Sequence, residues 1–236
     1  MSSPPATKAF LEDLLRARRL QPDGPPLRGE DRRLRPLPTG IGTVDALAAG
    51  GFPRGQLSEV HGPASSGRTG LLLALFARLT RGSGLAALVD PADRFDPASA
   101  GAAGVDLARL LWLRGAQEPR ALVPAVSAVG TLAASGLFEL VVLDLADVSD
   151  HEIHRLPGPT WIRLQRAVEE TPTALLLLAR AHVAFGPGGL TLALRLSGTR
   201  WSGPPGPGRL LSGLEAEGRA GLHASRPAAF SLSAFS

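Results

Sequence analysis

The chain has 236 residues, 44% of them hydrophobic, and a formal net charge of +4, enough apolar material for one large domain with its own core. It contains no cysteine, which excludes disulfides, thiolate metal sites and cysteine nucleophiles and suits a cytosolic protein. Met1 to Pro5 does not read as a signal peptide, and no apolar run is long enough to span a bilayer: Ala174 to Ala179 is too short, and Ala121 to Phe138 is diluted by Pro124, Ser127, Gly130 and Ser135.

Residues 1–36 hold eight basic and five acidic residues, so +3 of the net charge lies there and the remainder of the chain is close to neutral. Within this segment, Thr7 to Leu20 places Phe10, Leu11, Leu14 and Leu15 on one face of a predicted helix. Pro22 to Pro38 is rich in proline and glycine and reads as a linker. We therefore expect an amphipathic arm and linker over 1–36, docking through those four apolar side chains on the core (37–236) or on another protein. Its excess of basic residues leaves open a contact with DNA phosphates or an acidic surface, although mixed charges more commonly mark a solvated face.

From Gly40 onward the pattern is α/β. Apolar strand candidates at 57–61, 85–90, 109–113, 139–144, 174–179 and 190–196 are separated by helical stretches, which predicts a largely parallel sheet with helices on both faces. The end differs, with 211–217 and 227–235 reading as a closing pair of strands after the loop Ser202 to Gly208.

Between the first of these strands and a helix that begins with Leu71, Leu72, Leu73, Leu75 and Phe76 runs Gly62-Pro63-Ala64-Ser65-Ser66-Gly67-Arg68-Thr69. This is the order of a phosphate-binding loop, G-x-x-x-x-G-K-[ST], in which glycines let backbone N–H groups turn toward phosphate, lysine reaches the β/γ-phosphates and the hydroxyl holds Mg²⁺. Arg68 stands where the lysine should be. Lys8 is the only lysine among 25 basic residues, so a coding bias accounts for an arginine here; a lysine needed for phosphoryl chemistry should nevertheless resist such drift. Leu140 to Asp144 is an apolar strand ending in a carboxylate, the placement of an aspartate beside Mg²⁺. The residues expected at a nucleotide are thus Gly62, Ser66, Gly67, Arg68, Thr69 and Asp144, with Thr69 and Asp144 as the metal ligands.

Two other clusters have plainer readings. Asp150-His151-Glu152-Ile153-His154 lacks the i, i+4 histidine spacing of a zinc helix, and Ser149 followed by Glu152 reads as a capping box. Trp112, Trp161 and Trp201 fall on separate elements and suit packing better than a base-stacking platform.

Leu37 to Asp45 and Gly50 to Thr69 closely resemble the ATP-binding core of the bacterial RecA recombinases, and the likeness continues through Val89 to Pro97 and Gly104 to Asp106. The resemblance covers roughly residues 37–200 and implies a RecA-like P-loop core. Asp96 matches the family's adenine-side aspartate and joins the expected cofactor-binding residues on that ground. The departures lie at functional positions. Ala92 stands for the catalytic glutamate, Ser99 for the adenine-stacking tyrosine and Arg180 for the γ-phosphate-sensing glutamine. Asp93, beside the vacant glutamate position, is a weak substitute because an adjacent loop residue points elsewhere. The second of the family's two DNA-holding loops shrinks to Ala181 to Pro187, and the family's C-terminal domain is expected to be lacking.

This layout resembles the ImuA family, shortened RecA-like proteins found with an inactive Y-family polymerase homologue (ImuB) and an error-prone polymerase in mutagenesis cassettes. Gly51 to Glu59, Gly104 to Leu111 and Arg163 to Glu169 carry that likeness. It implies an accessory protein of DNA-damage tolerance, in SOS mutagenesis and translesion synthesis. On this reading the protein has no catalytic residues of its own and binds ATP and Mg²⁺ weakly or not at all. Its partners would be the RecA recombinase, an ImuB-like homologue and an error-prone polymerase, in the cytoplasm at the nucleoid; weak sequence-independent DNA binding and self-association stay open. The alternative is an active recombinase-type ATPase that binds DNA, with Arg68, Thr69, Asp144 and Asp93 sustaining turnover.

Overall fold

A computed structural model describes residues 35–115, 122–185, 188–221 and 227–233, together with the helical positions Ala9, Glu12, Asp13 and Arg16. Phe10, Leu11, Leu14 and Leu15 of the arm lie outside the described residues.

Strands β1 (Leu57–His61), β2 (Ala86–Asp90), β3 (Leu110–Arg114), β4 (Leu140–Asp144), β5 (Ala174–Ala179), β6 (Thr191–Ser202), β7 (Leu210–Ala220) and β8 (Ala228–Ser233) form one sheet in the order β3-β2-β4-β5-β1-β6-β7-β8. Every pair from β3 to β6 is parallel, and the last two pairings are antiparallel. The centre goes to the runs with apolar residues on both faces: β5 is buried along its whole length, and β4 is buried except at Asp144. Alternate residues of one strand feed opposite cores. Leu140 and Val142 pack under the helix α2 (Arg68–Arg81), whereas Val141 and Leu143 pack under α4 (Leu122–Ser135) and α6 (Thr160–Val168). A sheet covered on both faces is what the continuous apolar runs require.

Short helices α1 (Gly42–Leu47), α3 (Pro97–Ala102) and α5 (Asp150–His154) complete the described elements, with a single 3₁₀ turn at Leu107–Arg109. The box expected at α5 forms in altered shape. Ser149 Oγ accepts from the Glu152 N–H at 3.3 Å and donates to Glu152 Oε2 at 2.7 Å. No group of three potential metal ligands occurs among the described residues, and no described helix is long and apolar enough to cross a membrane.

Candidate phosphate-binding site

The strand order decides which loops meet. β5 separates β1 from β4, and the registers pair His61 with Ala179 and Asp144 with Leu178. The loop after β1 and the carboxylate at the end of β4 therefore emerge at the same edge of the sheet and at the same level, the usual place for a ligand in an open parallel sheet.

The loop's shape depends on two glycines. A Cβ on Gly62 would lie 2.3 Å from the Leu194 carbonyl oxygen and 2.7 Å from Ser66 Oγ. Gly67 has φ 95° and is the N-cap of α2, with no side chain capping that helix. The first N–H groups of α2 therefore have no side-chain cap, and uncapped N–H groups at a helix start favour an anion. Ser65 is also left-handed, at φ 61°. Ser66 is 1% exposed and its Oγ has no hydrogen-bond partner. Arg68 is 9% exposed and its Nη1 likewise has none. Thr69 is exposed at the mouth of the loop. A buried hydroxyl and a buried guanidinium nitrogen without partners, on a turn whose glycines leave no room for a Cβ, fit a phosphate group well.

The cation side is different. Asp144 accepts a hydrogen bond from the Ala146 N–H at 2.8 Å. Burial pushes its carboxyl up to about 6, with Asp90 and Asp147 adding to the rise and the Ala146 N–H and Arg68 opposing it. Arg68 in turn is attracted by Asp144 and Asp147 and repelled by Arg180. Asp144 thus shares its surroundings with a fixed guanidinium.

The remaining expected positions are engaged elsewhere. Asp93, at φ 55°, accepts from Arg114 Nε at 2.7 Å and Nη2 at 2.8 Å. The Arg114 hydrogen bond holds its carboxyl below the usual range, which unfits it as a base. Asp96 caps α3, accepting from the Ala98 N–H at 3.1 Å, the Ser99 N–H at 3.0 Å and the Ser99 hydroxyl. Ser99, in the aromatic position, is exposed. Arg180 donates to the Ala146 carbonyl at 2.7 Å and to Asp147 Oδ1 at 3.1 Å, tying the end of β5 to the loop after β4. The tryptophans stay apart: Trp112 packs edge-on against Phe95 beneath Arg114, and Trp201 lies 46% exposed on β6.

One cluster was not foreseen from the sequence. Glu59 on β1 is 2% exposed and accepts from the Val183 N–H at 2.8 Å, the Ala184 N–H at 3.0 Å and His182 Nδ1 at 2.7 Å. His182 also meets Phe185 edge-on and lies 5.7 Å from the ring of His61. The short loop after β5 is thereby fastened to the strand that opens the phosphate loop. A glutamate inside an apolar strand was the available signal, since a buried carboxylate must find donors.

Comparison with known proteins agrees with this architecture. The RecA N-terminal domain matches residues 28–155. The RecA protein of Chlorobaculum parvum is 42% identical over 135 residues, covering 56% of this chain and 38% of that protein. That of Symbiobacterium thermophilum is 38% identical over 132 residues, 55% of this chain and 37% of that protein. That of Herpetosiphon aurantiacus is 31% identical over 201 residues, 78% of this chain and 55% of that protein. The chain therefore spans about half the length, or less, of these curated relatives. Since the family match takes in β1 through α5 and more than half of the residues, the chain belongs to the RecA N-terminal domain family.

Proposed function

We propose that the protein is a RecA-like accessory factor of DNA-damage tolerance, working through contacts with the RecA recombinase and with mutagenic polymerase components of the ImuB and error-prone type. Its nucleotide site binds phosphate without sustained hydrolysis. One observation carries this reading: the phosphate loop keeps its shape while the position of the family's catalytic glutamate and the carboxylates beside it offer no base. Position 92 is alanine, Asp93 is taken by Arg114 and Asp96 by the start of α3. When bound, a nucleotide with Mg²⁺ would supply a phosphoryl group for transfer; Gly62, Ser66, Gly67, Arg68 and Thr69 would hold its phosphates, with Thr69 and Asp144 on the metal side. The chain's own groups stabilise negative charge there, but activation of a water requires a positioned base.

The pinned loop after β5 supports the accessory role. With Val183, Ala184 and His182 bonded to Glu59, this segment is not available to wrap a DNA strand. The test is ATP turnover by the pure protein, with and without single-stranded DNA, beside co-purification with the recombinase. Absent or very slow hydrolysis together with recombinase binding is expected. Robust turnover abolished by Asp144→Ala would instead establish the ATPase reading.

A further inference from the structure

Eight large hydrophobic side chains are exposed among the described residues, and four of them, Leu196, Trp201, Leu210 and Leu211, lie on the ribbon of β6 and β7. Scattered exposed hydrophobics need no explanation, whereas a cluster marks a contact site. The ribbon stands off the sheet. β1 pairs with β6 only as far as Ala193, and β8 pairs with β7 only from Gly213 onward, so among the described residues 199–202 and 210–212 pair only with each other.

The register shows how the cluster is built. Residues directly opposite one another share a face of a sheet; Leu196 stands opposite Ala216, Thr199 opposite Leu214 and Trp201 opposite Leu211. Ala216 is buried in the core under α2, and Leu214 packs against that core. The face that lines the core therefore continues outward as Leu196, Trp201 and Leu211, which are 36%, 46% and 42% exposed. A register shift between Arg200 and Trp201 leaves Ser212 without an opposite residue and brings Leu211 across from the indole. The indole is held there: its Nε1 donates to Thr199 Oγ1 at 2.9 Å, and the Arg209 guanidinium lies 5.8 Å from the ring centroid. An aromatic side chain already fixed in place loses little freedom on binding.

Charge selects among the occupants. From Thr199 to Leu214 there is no acidic residue, and the charged groups are Arg200 and Arg209. Residues 1–36 carry a net +3, so this ribbon repels the chain's own arm. A second copy docking tip to tip would set the arginines of both ribbons together with no acid on either tip. A single strand of nucleic acid would answer the charge, but such strands are held by stacking on aromatic rings, and here three leucines surround one indole. An aliphatic stripe flanked by carboxylates fits both the apolar face and the arginines.

We propose that the face of Leu196, Trp201 and Leu211 docks an acidic amphipathic segment of a partner protein. The segment's apolar side chains cover the leucines and the indole, and its carboxylates meet Arg209, with Arg200 adding to the attraction from the reverse of the ribbon. Tryptophan and arginine are the side chains that most often dominate the binding energy of such contacts. None of these residues belongs to the phosphate loop, and the proposal holds whether or not that loop turns over ATP.

Fluorescence anisotropy with the full chain tests it. The probe is a labelled synthetic peptide with leucines at i, i+3, i+4 and i+7 and glutamates at the remaining positions. The comparison probes are a peptide of the same composition with its leucines scattered, one with lysine in place of glutamate, and a thymidine oligonucleotide. The wild type should bind the acidic amphipathic peptide at least about tenfold more tightly than either control peptide. Trp201→Ser combined with Leu211→Ser should weaken that binding about tenfold or more, while circular dichroism and melting temperature stay those of the wild type. Arg200→Glu combined with Arg209→Glu should turn the preference toward the lysine peptide, which lost packing alone would not do. Absence of the preference in the folded wild type overturns the proposal, as does binding unaltered in both double variants. If the serine variant instead lost oligonucleotide binding, or lost self-association in sedimentation, with its peptide binding intact, the ribbon would belong to nucleic acid or to a second copy, and the proposal would fall.

Discussion

Position 144 shows how one carboxylate can make stability depend on pH. In the metal-free protein its folded-state value is about 6 against an ordinary 3.8, chiefly because burial disfavours the charge. The native chain then retains a proton that the unfolded chain has released, so stability falls as pH rises from about 4 to about 6 and stays lower above that window. The full shift corresponds to at most about 3 kcal/mol. Asp144→Asn removes the ionisable group, so its melting temperature should exceed that of the wild type at neutral pH, with the difference shrinking toward pH of about 4. A variant less stable than wild type at neutral pH would refute this account. Glu59 is a buried carboxylate held by three donors. Glu59→Ala strands the Val183 and Ala184 N–H groups and His182, and should cost about 2–4 kcal/mol in urea unfolding. It should also open the 181–185 segment to limited proteolysis. Glu59→Gln, which keeps an acceptor oxygen, should lose less; equal losses in the two variants would show that packing matters more than the hydrogen bonds.

Among the elements, the closing strand β8 bears on the site although it lies far from it in sequence. Leu232 is 6% exposed, and its Cδ1 lies 2.8 Å from where a Cβ on Gly67 would be and 3.0 Å from one on Gly70. The strand therefore packs behind the start of α2. Leu232→Ala should destabilise the fold by about 2–5 kcal/mol and loosen the loop, measurable as faster amide exchange at Gly67 to Thr69; exchange unchanged there despite the lost stability would separate β8 from the loop. The strands themselves were legible. Leu57–His61 and Ala174–Ala179 match their expected bounds, and the starts of β2, β3 and β4 shift by one residue, because buried parallel strands read as unbroken apolar runs. β6 was expected to stop at 196 but runs to Ser202, and β7 spans 210–220 rather than 211–217. Beyond Leu194 these strands form a solvent-facing ribbon whose residues are mostly exposed, and apolar periodicity cannot report a strand that buries nothing. The phosphate loop was legible from its glycines and flanking elements. Long-range pairs were not: Arg54 with Glu139 at 2.7 Å, or Glu59 with His182, join residues 85 and 123 positions apart, and charge at one position does not announce its distant partner.

For the whole molecule, the uneven charge and the fastened loop after β5 lead us to expect that any contact with DNA is made through phosphates. Residues 1–36 hold eight of the 25 basic residues, and the loop after β5 is tied to Glu59. Deleting 1–36 should weaken self-association or recombinase binding while the core stays folded, since Phe10, Leu11, Leu14 and Leu15 offer an apolar stripe suited to a groove on a partner; a truncated protein that binds as the full chain does would exclude the arm as a docking element. Contacts of arginine with phosphate carry no base information and release counterions, so affinity for single-stranded DNA should fall linearly on a log–log plot against salt and not vary with sequence. Stacking that resists salt would need exposed aromatics along a groove. The chain has no tyrosine and three tryptophans, of which Trp112 is occupied by Phe95 and Arg114. We therefore expect fluorescence anisotropy with labelled oligonucleotides to show weak, salt-sensitive binding of equal strength for different sequences, with no strand exchange by the protein alone. Stable ATP-dependent filaments that exchange strands unaided would defeat the accessory reading, because that activity requires a mobile strand-holding loop where this chain has one bonded to β1, and a water-activating acid where it has Ala92.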